Sequence, residues 1–170
     1  MKTWFVALLS FLPLTALAEF SPHEVMPAAR GKQDVYVMDA IIRGGDPLAQ
    51  PATLANVRWA KKPGYERLVF DIEGSGSEWQ VRTPPYFQVG LNPNKGRISL
   101  DIRSIQGRKV AQADIERAVS RSSLLKTAYL APKLQGELAT LDFTTRTTVD
   151  VEAFYLVNPP RIILDVRAKK

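Results

Sequence analysis

A six-residue phrase recurs along this chain: arginine, an apolar residue, a variable residue, an apolar residue, aspartate, an apolar residue. It reads Arg67-Leu68-Val69-Phe70-Asp71-Ile72, then Arg97-Ile98-Ser99-Leu100-Asp101-Ile102, then Arg161-Ile162-Ile163-Leu164-Asp165-Val166. A degenerate copy, Leu138-Ala139-Thr140-Leu141-Asp142-Phe143, has leucine where the arginine stood. The period is two. Side chains alternate faces along an extended chain, so the three apolar positions share one face and the arginine and aspartate share the other. Leu68, Phe70 and Ile72 are therefore expected to face a core, as are Ile98, Leu100 and Ile102, and Ile162, Leu164 and Val166. Arg67, Asp71, Arg97, Asp101, Arg161 and Asp165 are expected on wet faces, the pattern of half-buried antiparallel strands.

Turn residues separate the copies. Gly74-Ser75-Gly76-Ser77 follows the first, Asn92-Pro93-Asn94-Lys95-Gly96 precedes the second as a hairpin loop, and Asn158-Pro159-Pro160 precedes the last. Further strands fit the gaps at 55–60, 79–82, 86–91, 124–130 and 149–157. Between 112 and 120, Ile115, Ala118 and Val119 recur at helical spacing behind Asp114 and Glu116, which predicts one short amphipathic helix whose ordinary role is packing. The fold class expected is all-β: a sandwich of two small antiparallel sheets with one short helix.

The first 18 residues read as an address rather than as structure. Lys2 supplies a positive start, 5–17 is almost wholly apolar, and Ala16-Leu17-Ala18 fits a small-x-small cleavage pattern, so a secretory signal peptide is expected over 1–18, with export to the periplasm. The run is too short for a convincing membrane span, and no later stretch has the length of one. Residues 19–51, with Pro22, Pro27 and Gly31, read as a linker or flexible segment able to supply an edge strand through Val35–Met38 and Ala40–Ile42. The compact domain is expected over 52–170.

Composition then removes several function classes. The 170 residues hold no cysteine and one histidine, His23. Disulfides and thiolate metal sites are excluded, and a lone histidine beside Pro22 suits neither a zinc hydrolase nor a catalytic triad. No cofactor or metal is called for. The net charge of +6 helps adhesion to a polyanion without demanding one. Lysines and arginines are scattered apart from Lys61-Lys62 and Lys169-Lys170, which argues against nucleic acid as a partner.

The ordered set of strands resembles the AMIN domain, a module found at the N-terminus of periplasmic N-acetylmuramoyl-L-alanine amidases and of type IV pilus secretins. The resemblance runs from about Asn56 to Arg167. It rests on the repeated phrase, on Tyr86-Phe87-Gln88-Val89 before the second copy, and on Phe154-Tyr155-Leu156-Val157-Asn158-Pro159-Pro160-Arg161 before the last. It implies a two-sheet sandwich that binds peptidoglycan and localises its protein to the wall. Because only a few residues follow the last copy in this sequence, a stand-alone binder is expected, or else an adaptor of an envelope machine such as a pilus or secretin complex.

Murein offers sugar faces, amides and free carboxylates. Guanidinium groups suit carboxylates because they donate two parallel hydrogen bonds, so Arg67, Arg97 and Arg161 are candidate ligand residues with Asp71, Asp101 and Asp165 as orienting partners. Tyr86 and Tyr155 are added candidates for contact with sugar rings. The ordinary reading of the same pairs is a ladder that solubilises a sheet, and of the tyrosines a half-buried strand role. Trp59 and Trp79 read as core. An enzyme is not expected: a carboxylate pair made of Asp71 and Asp101 would need one member protonated, and a neighbouring arginine holds it ionised.

Overall fold

The repeated phrase forms strands at all four places. The computed structural model describes residues 24–74, 82–132 and 137–169. The expected signal peptide, His23 and Trp79 lie outside the described residues, as does most of the strand expected at 79–82. Twelve strands and one helix follow in chain order: β1 Glu24–Pro27, β2 Ala29–Arg30, β3 Ala40–Gly44, β4 Ala52–Lys62, β5 Tyr65–Gly74, β6 Phe87–Asn92, β7 Arg97–Ile102, β8 Ile105–Arg108, α1 Gln112–Val119, β9 Leu125–Leu130, β10 Ala139–Thr145, β11 Val149–Leu156 and β12 Arg161–Ala168. They build two six-stranded sheets, β1-β3-β6-β7-β10-β9 and β2-β11-β12-β5-β4-β8.

The apolar positions of each copy meet between the sheets. Leu68, Phe70, Ile98, Leu100, Ile102, Leu141, Phe143, Ile162, Leu164 and Val166 are all buried, with Ile72 beside them. Phe70 and Phe143 touch edge to face across the interior, their centroids 6.2 Å apart. The expected sandwich is therefore present, but its sheets are mixed rather than purely antiparallel. β1 pairs with β3, β2 with β11 and β4 with β8 in parallel. Each of these three additions is an edge strand of at most four residues. Alternating polarity marks a strand without marking its direction, which is set by the connections.

Three local signals act as expected. Asn92 accepts from the Lys95 amide at 3.0 Å and opens the 3-10 turn Pro93–Lys95, which Gly96 closes at φ +54°. That left-handed conformation favours glycine and turns the β6–β7 hairpin. Helix α1 buries Ile115 and Val119 against β9 and β4. The Asp114 carboxylate accepts from the Ala111 amide at 3.0 Å, satisfying one donor at the helix start.

The segment expected as a linker with an edge strand supplies β1, β2 and β3. Ala40–Ile42 does form a strand, within β3, but it pairs on both sides rather than lying at an edge, and of 35–38 only Val37 makes a bridge, to Val151. Between β2 and β3 the chain runs along β11. Gly31 N–H donates to Tyr155 O at 2.9 Å, and Val37 and Val151 exchange bonds of 3.0 and 2.8 Å.

Candidate ligand-binding faces

The two sheets turn their outer faces in opposite directions, so the eight candidate residues do not form one site. On the second sheet, β5 and β12 pair with Arg67 opposite Asp165 and Asp71 opposite Arg161. In the register of these two copies the first position of each stands against the fifth position of the other. The result is a reciprocal ladder. Arg67 donates to both Asp165 oxygens at 2.6 and 2.7 Å. Arg161 donates to Asp71 at 3.0 Å, and Asp71 also receives a bidentate pair from Arg58 on β4 at 2.8 and 2.7 Å.

This ladder corrects the expectation of a wet row. Asp165 is fully buried, and its neighbour Ile163 is 2% exposed. β12 is the third strand in from its sheet's edge and is buried on both faces. Lys32 reaches in from the segment after β2, 2.8 Å from Glu152 and 3.5 Å from Asp165. Gln33 N–H donates to the other Glu152 oxygen at 2.6 Å. Two buried carboxylates thus lie side by side across β11 and β12, matched by Lys32 and Arg67. Burial alone would lower the Lys32 pKa, but hydrogen bonds to Asp34, Glu152 and Tyr36 raise it above the usual lysine value. Hydrogen bonding to Asp165 likewise raises Arg67. Neither cation is free to receive a ligand carboxylate. Lys32 carries no periodic signal, and although Glu152 falls on the polar side of the Val149-Asp150-Val151-Glu152-Ala153 alternation, only the pairing of distant segments brings the two together here.

The outer face of the first sheet is different. Arg97 donates to Asp142 at 3.0 and 2.7 Å, reaching diagonally from β7 to β10. The hydrogen bond to Asp142 raises its pKa. The symmetry-related diagonal would run from position 138 to Asp101, since 138 lies opposite 103 by extension of the β7–β10 register. That position holds leucine, so Asp101 has no cation within salt-bridge distance among the described residues; it accepts from Thr140 Oγ1 at 2.7 Å. Around it lies an open basin of about 300 Å³ lined by Gln88, Asn92, Ser99, Thr140 and Asp142 among others. Gly90 forms part of the floor, and a Cβ there would stand 2.7 Å from Ser99 Oγ.

The tyrosines belong to neither face. Tyr86 lies under the Arg103 guanidinium, 5.2 Å from ring centroid to Cζ. Tyr155 packs edge to face on Phe87 with centroids 6.3 Å apart and borders the core. Among the described residues, no group of three or more His, Cys, Asp or Glu is placed to hold a metal ion, and no helix is long and apolar enough to cross a membrane.

No curated protein matches the chain. A family model described as an AMIN-like domain matches residues 52–168. That span opens at the first residue of β4 and closes at the last of β12, so it takes in the reciprocal ladder, the Asp101 basin and the helix between them. With more than half of its length so matched, the chain belongs to the AMIN-like domain family.

Proposed function

We propose that this chain is a periplasmic peptidoglycan-binding domain that targets the cell wall, and that it holds murein through the outer face of its first sheet. The observation that supports this face is Asp101, a carboxylate with one hydroxyl partner and no cation within salt-bridge distance among the described residues, in a basin lined by amide and hydroxyl side chains together with Lys95, Arg97 and Asp142. Such a group accepts hydrogen bonds from sugar hydroxyls and peptide amides, and both are abundant in murein. The arginines of the repeated phrase then act as structural partners of aspartates, and the role of receptor passes from guanidinium to carboxylate. The family is one of non-catalytic targeting domains, and the reading assigns the chain no reaction. The net charge of +6 adds long-range attraction to an acidic wall.

Sedimentation of the purified protein with intact sacculi at low salt tests this. The wild type is expected in the pellet. Asp101→Ala removes the acceptor, and Leu138→Arg supplies the missing diagonal cation and occupies it. Each is expected to weaken binding about tenfold, in line with one hydrogen bond to a charged group. A wild type that stays in the supernatant ends the wall reading. Pelleting of both variants at wild-type level moves the site away from Asp101.

A second reading, an adaptor of an envelope machine such as a pilus or secretin complex, draws on a different observation. The outer edge of β4 has no strand beyond Leu54 among the described residues.

A further inference from the structure

The unpaired part of β4 has a definite direction. β8 covers only Ala52 to Leu54, with Ala52 N–H donating to Ser104 O at 2.8 Å and Lys109 N–H to Leu54 O at 2.9 Å. Ile72 N–H donates to Pro160 O at 3.1 Å, so the even-numbered residues of β5 turn their main-chain groups toward β12. The odd-numbered ones turn toward β4, where they pair with Asn56, Arg58, Ala60 and Lys62. Bonded and non-bonded pairs alternate along an antiparallel ladder. Val57, Trp59 and Lys61 therefore direct their N–H and C=O groups away from the sheet, where no strand meets them among the described residues.

The fold treats its other long edge differently. On β9, the Gln112 side chain of α1 donates to Ala128 O at 2.8 Å and accepts from Leu130 N–H at 2.7 Å, doing the work of a neighbouring strand. At the start of the same strand, the Arg146 side chain donates to Leu125 O at 3.0 Å. A bare row of peptide groups invites pairing with another chain. Here the β9 edge is blocked and, among the described residues, the β4 edge beyond Leu54 is left open.

The open edge forms one wall of a groove of about 480 Å³, and α1 forms the other. Its apolar lining comes from Val57, Trp59, Val110 and Ala118. Arg58, Lys109, Arg117 and Arg121 line it against a single lining anion, Asp114. Arg58 and Lys109 are paired with Asp71 and Glu73, and Arg117 with Asp114. Arg121 has no carboxylate partner among the described residues.

We propose that this groove binds an extended acidic segment of a partner polypeptide, which adds to β4 as a further strand opposite α1. Outward N–H and C=O groups at every second residue match the repeat of another extended peptide, and the cations on the α1 side match its carboxylates. The proposal does not depend on the wall reading, because the groove lies at the edge of the second sheet and Asp101 lies on the first.

The test is fluorescence anisotropy with a fluorescein-labelled, N-acetylated Thr-Glu repeat peptide and its Thr-Lys counterpart. The Thr-Glu peptide is expected to bind saturably and the Thr-Lys peptide at least about tenfold more weakly. The double variant Arg117→Glu, Arg121→Glu, exposed on the helix side, is expected to weaken Thr-Glu binding by about tenfold or more. Lys61→Pro removes an outward amide without touching the β4–β5 ladder, and is expected to weaken it too. Both variants are expected to keep the wild-type thermal midpoint and, at a salt concentration that screens long-range attraction, to pellet with sacculi as the wild type does. Absence of Thr-Glu binding, equal binding of the two peptides, or undiminished binding by the double variant overturns the proposal. Displacement of the peptide by soluble murein fragments also overturns it, because the groove would then belong to the wall ligand.

Discussion

Asp165→Ala is expected to lower the unfolding free energy by about 3 kcal/mol, because it removes one partner from a buried, bidentate ion pair and leaves the other poorly compensated. Asp165 has no exposure, and it loses both Arg67 bonds and the nearby Lys32 charge together. Arg67 keeps some solvent contact, with 22% of its side chain exposed, and this holds the cost toward the low end for buried pairs. Asp142→Ala breaks a bidentate arginine pair of nearly the same geometry on the first sheet. There Arg97 is 51% exposed, so the expected cost is under about 1 kcal/mol. Urea unfolding of the two variants side by side measures the difference. The double change Arg67→Met, Asp165→Leu is expected to recover most of the loss, since an apolar pair of similar volume leaves no buried charge unmatched. Equal costs for Asp165→Ala and Asp142→Ala would mean that burial does not distinguish the two copies of the phrase.

That contrast shows how far the sequence reaches. Alternation placed Leu68, Phe70, Ile98, Leu100, Ile162 and Leu164 inside, and the helical spacing of Ile115 and Val119 placed α1. Both signals are local, and local sterics with hydrophobic patterning settle them. The environments of the polar positions were not legible, because they depend on which strands become neighbours. Asp71, Asp101 and Asp165 occupy the same place in the same phrase. One is shared by Arg58 and Arg161, one accepts from Thr140 with no cation at salt-bridge distance among the described residues, and one is sealed by a lysine more than a hundred residues away in the chain. Leu138 was visible as a departure from the phrase, but its consequence for Asp101 needs the register of β7 against β10. The parallel edge strands and the open side of β4 were hidden for the same reason.

Glu66→Gln is expected to destabilise the protein by about 2–3 kcal/mol at pH 7, and the deficit is expected to shrink as the solution is acidified. Glu66 sits on the inward side of β5 and is 3% exposed. Burial alone would raise its carboxyl pKa. The opposing hydrogen bonds come from the Ser122 hydroxyl, from the Ser123 hydroxyl and amide at 2.6 and 2.8 Å, and from Trp59 Nε1 at 3.0 Å; together they hold it below the usual value. All these partners donate. A glutamine side chain keeps one acceptor and brings an NH₂ that faces donors, so at least one bond is lost and one donor is left unpaired. A carboxyl depressed in the folded state contributes stability that is fully present above its unfolded pKa, near 4.5, and lost as pH falls through the lower folded value. Subtracting the variant's unfolding free energy from the wild type's at each pH cancels the other titrating groups and isolates Glu66. A difference that grows on acidification would show that Glu66 is held above its ordinary value instead. The position also couples stability to binding: Ser122 and Ser123 form the turn from α1 into β9, and Trp59 lines the groove between α1 and β4. If Glu66 fixes the α1 wall against β4, Glu66→Gln is expected to weaken the acidic peptide several-fold, by loosening one wall of its groove, while sacculus binding through Asp101 stays unchanged.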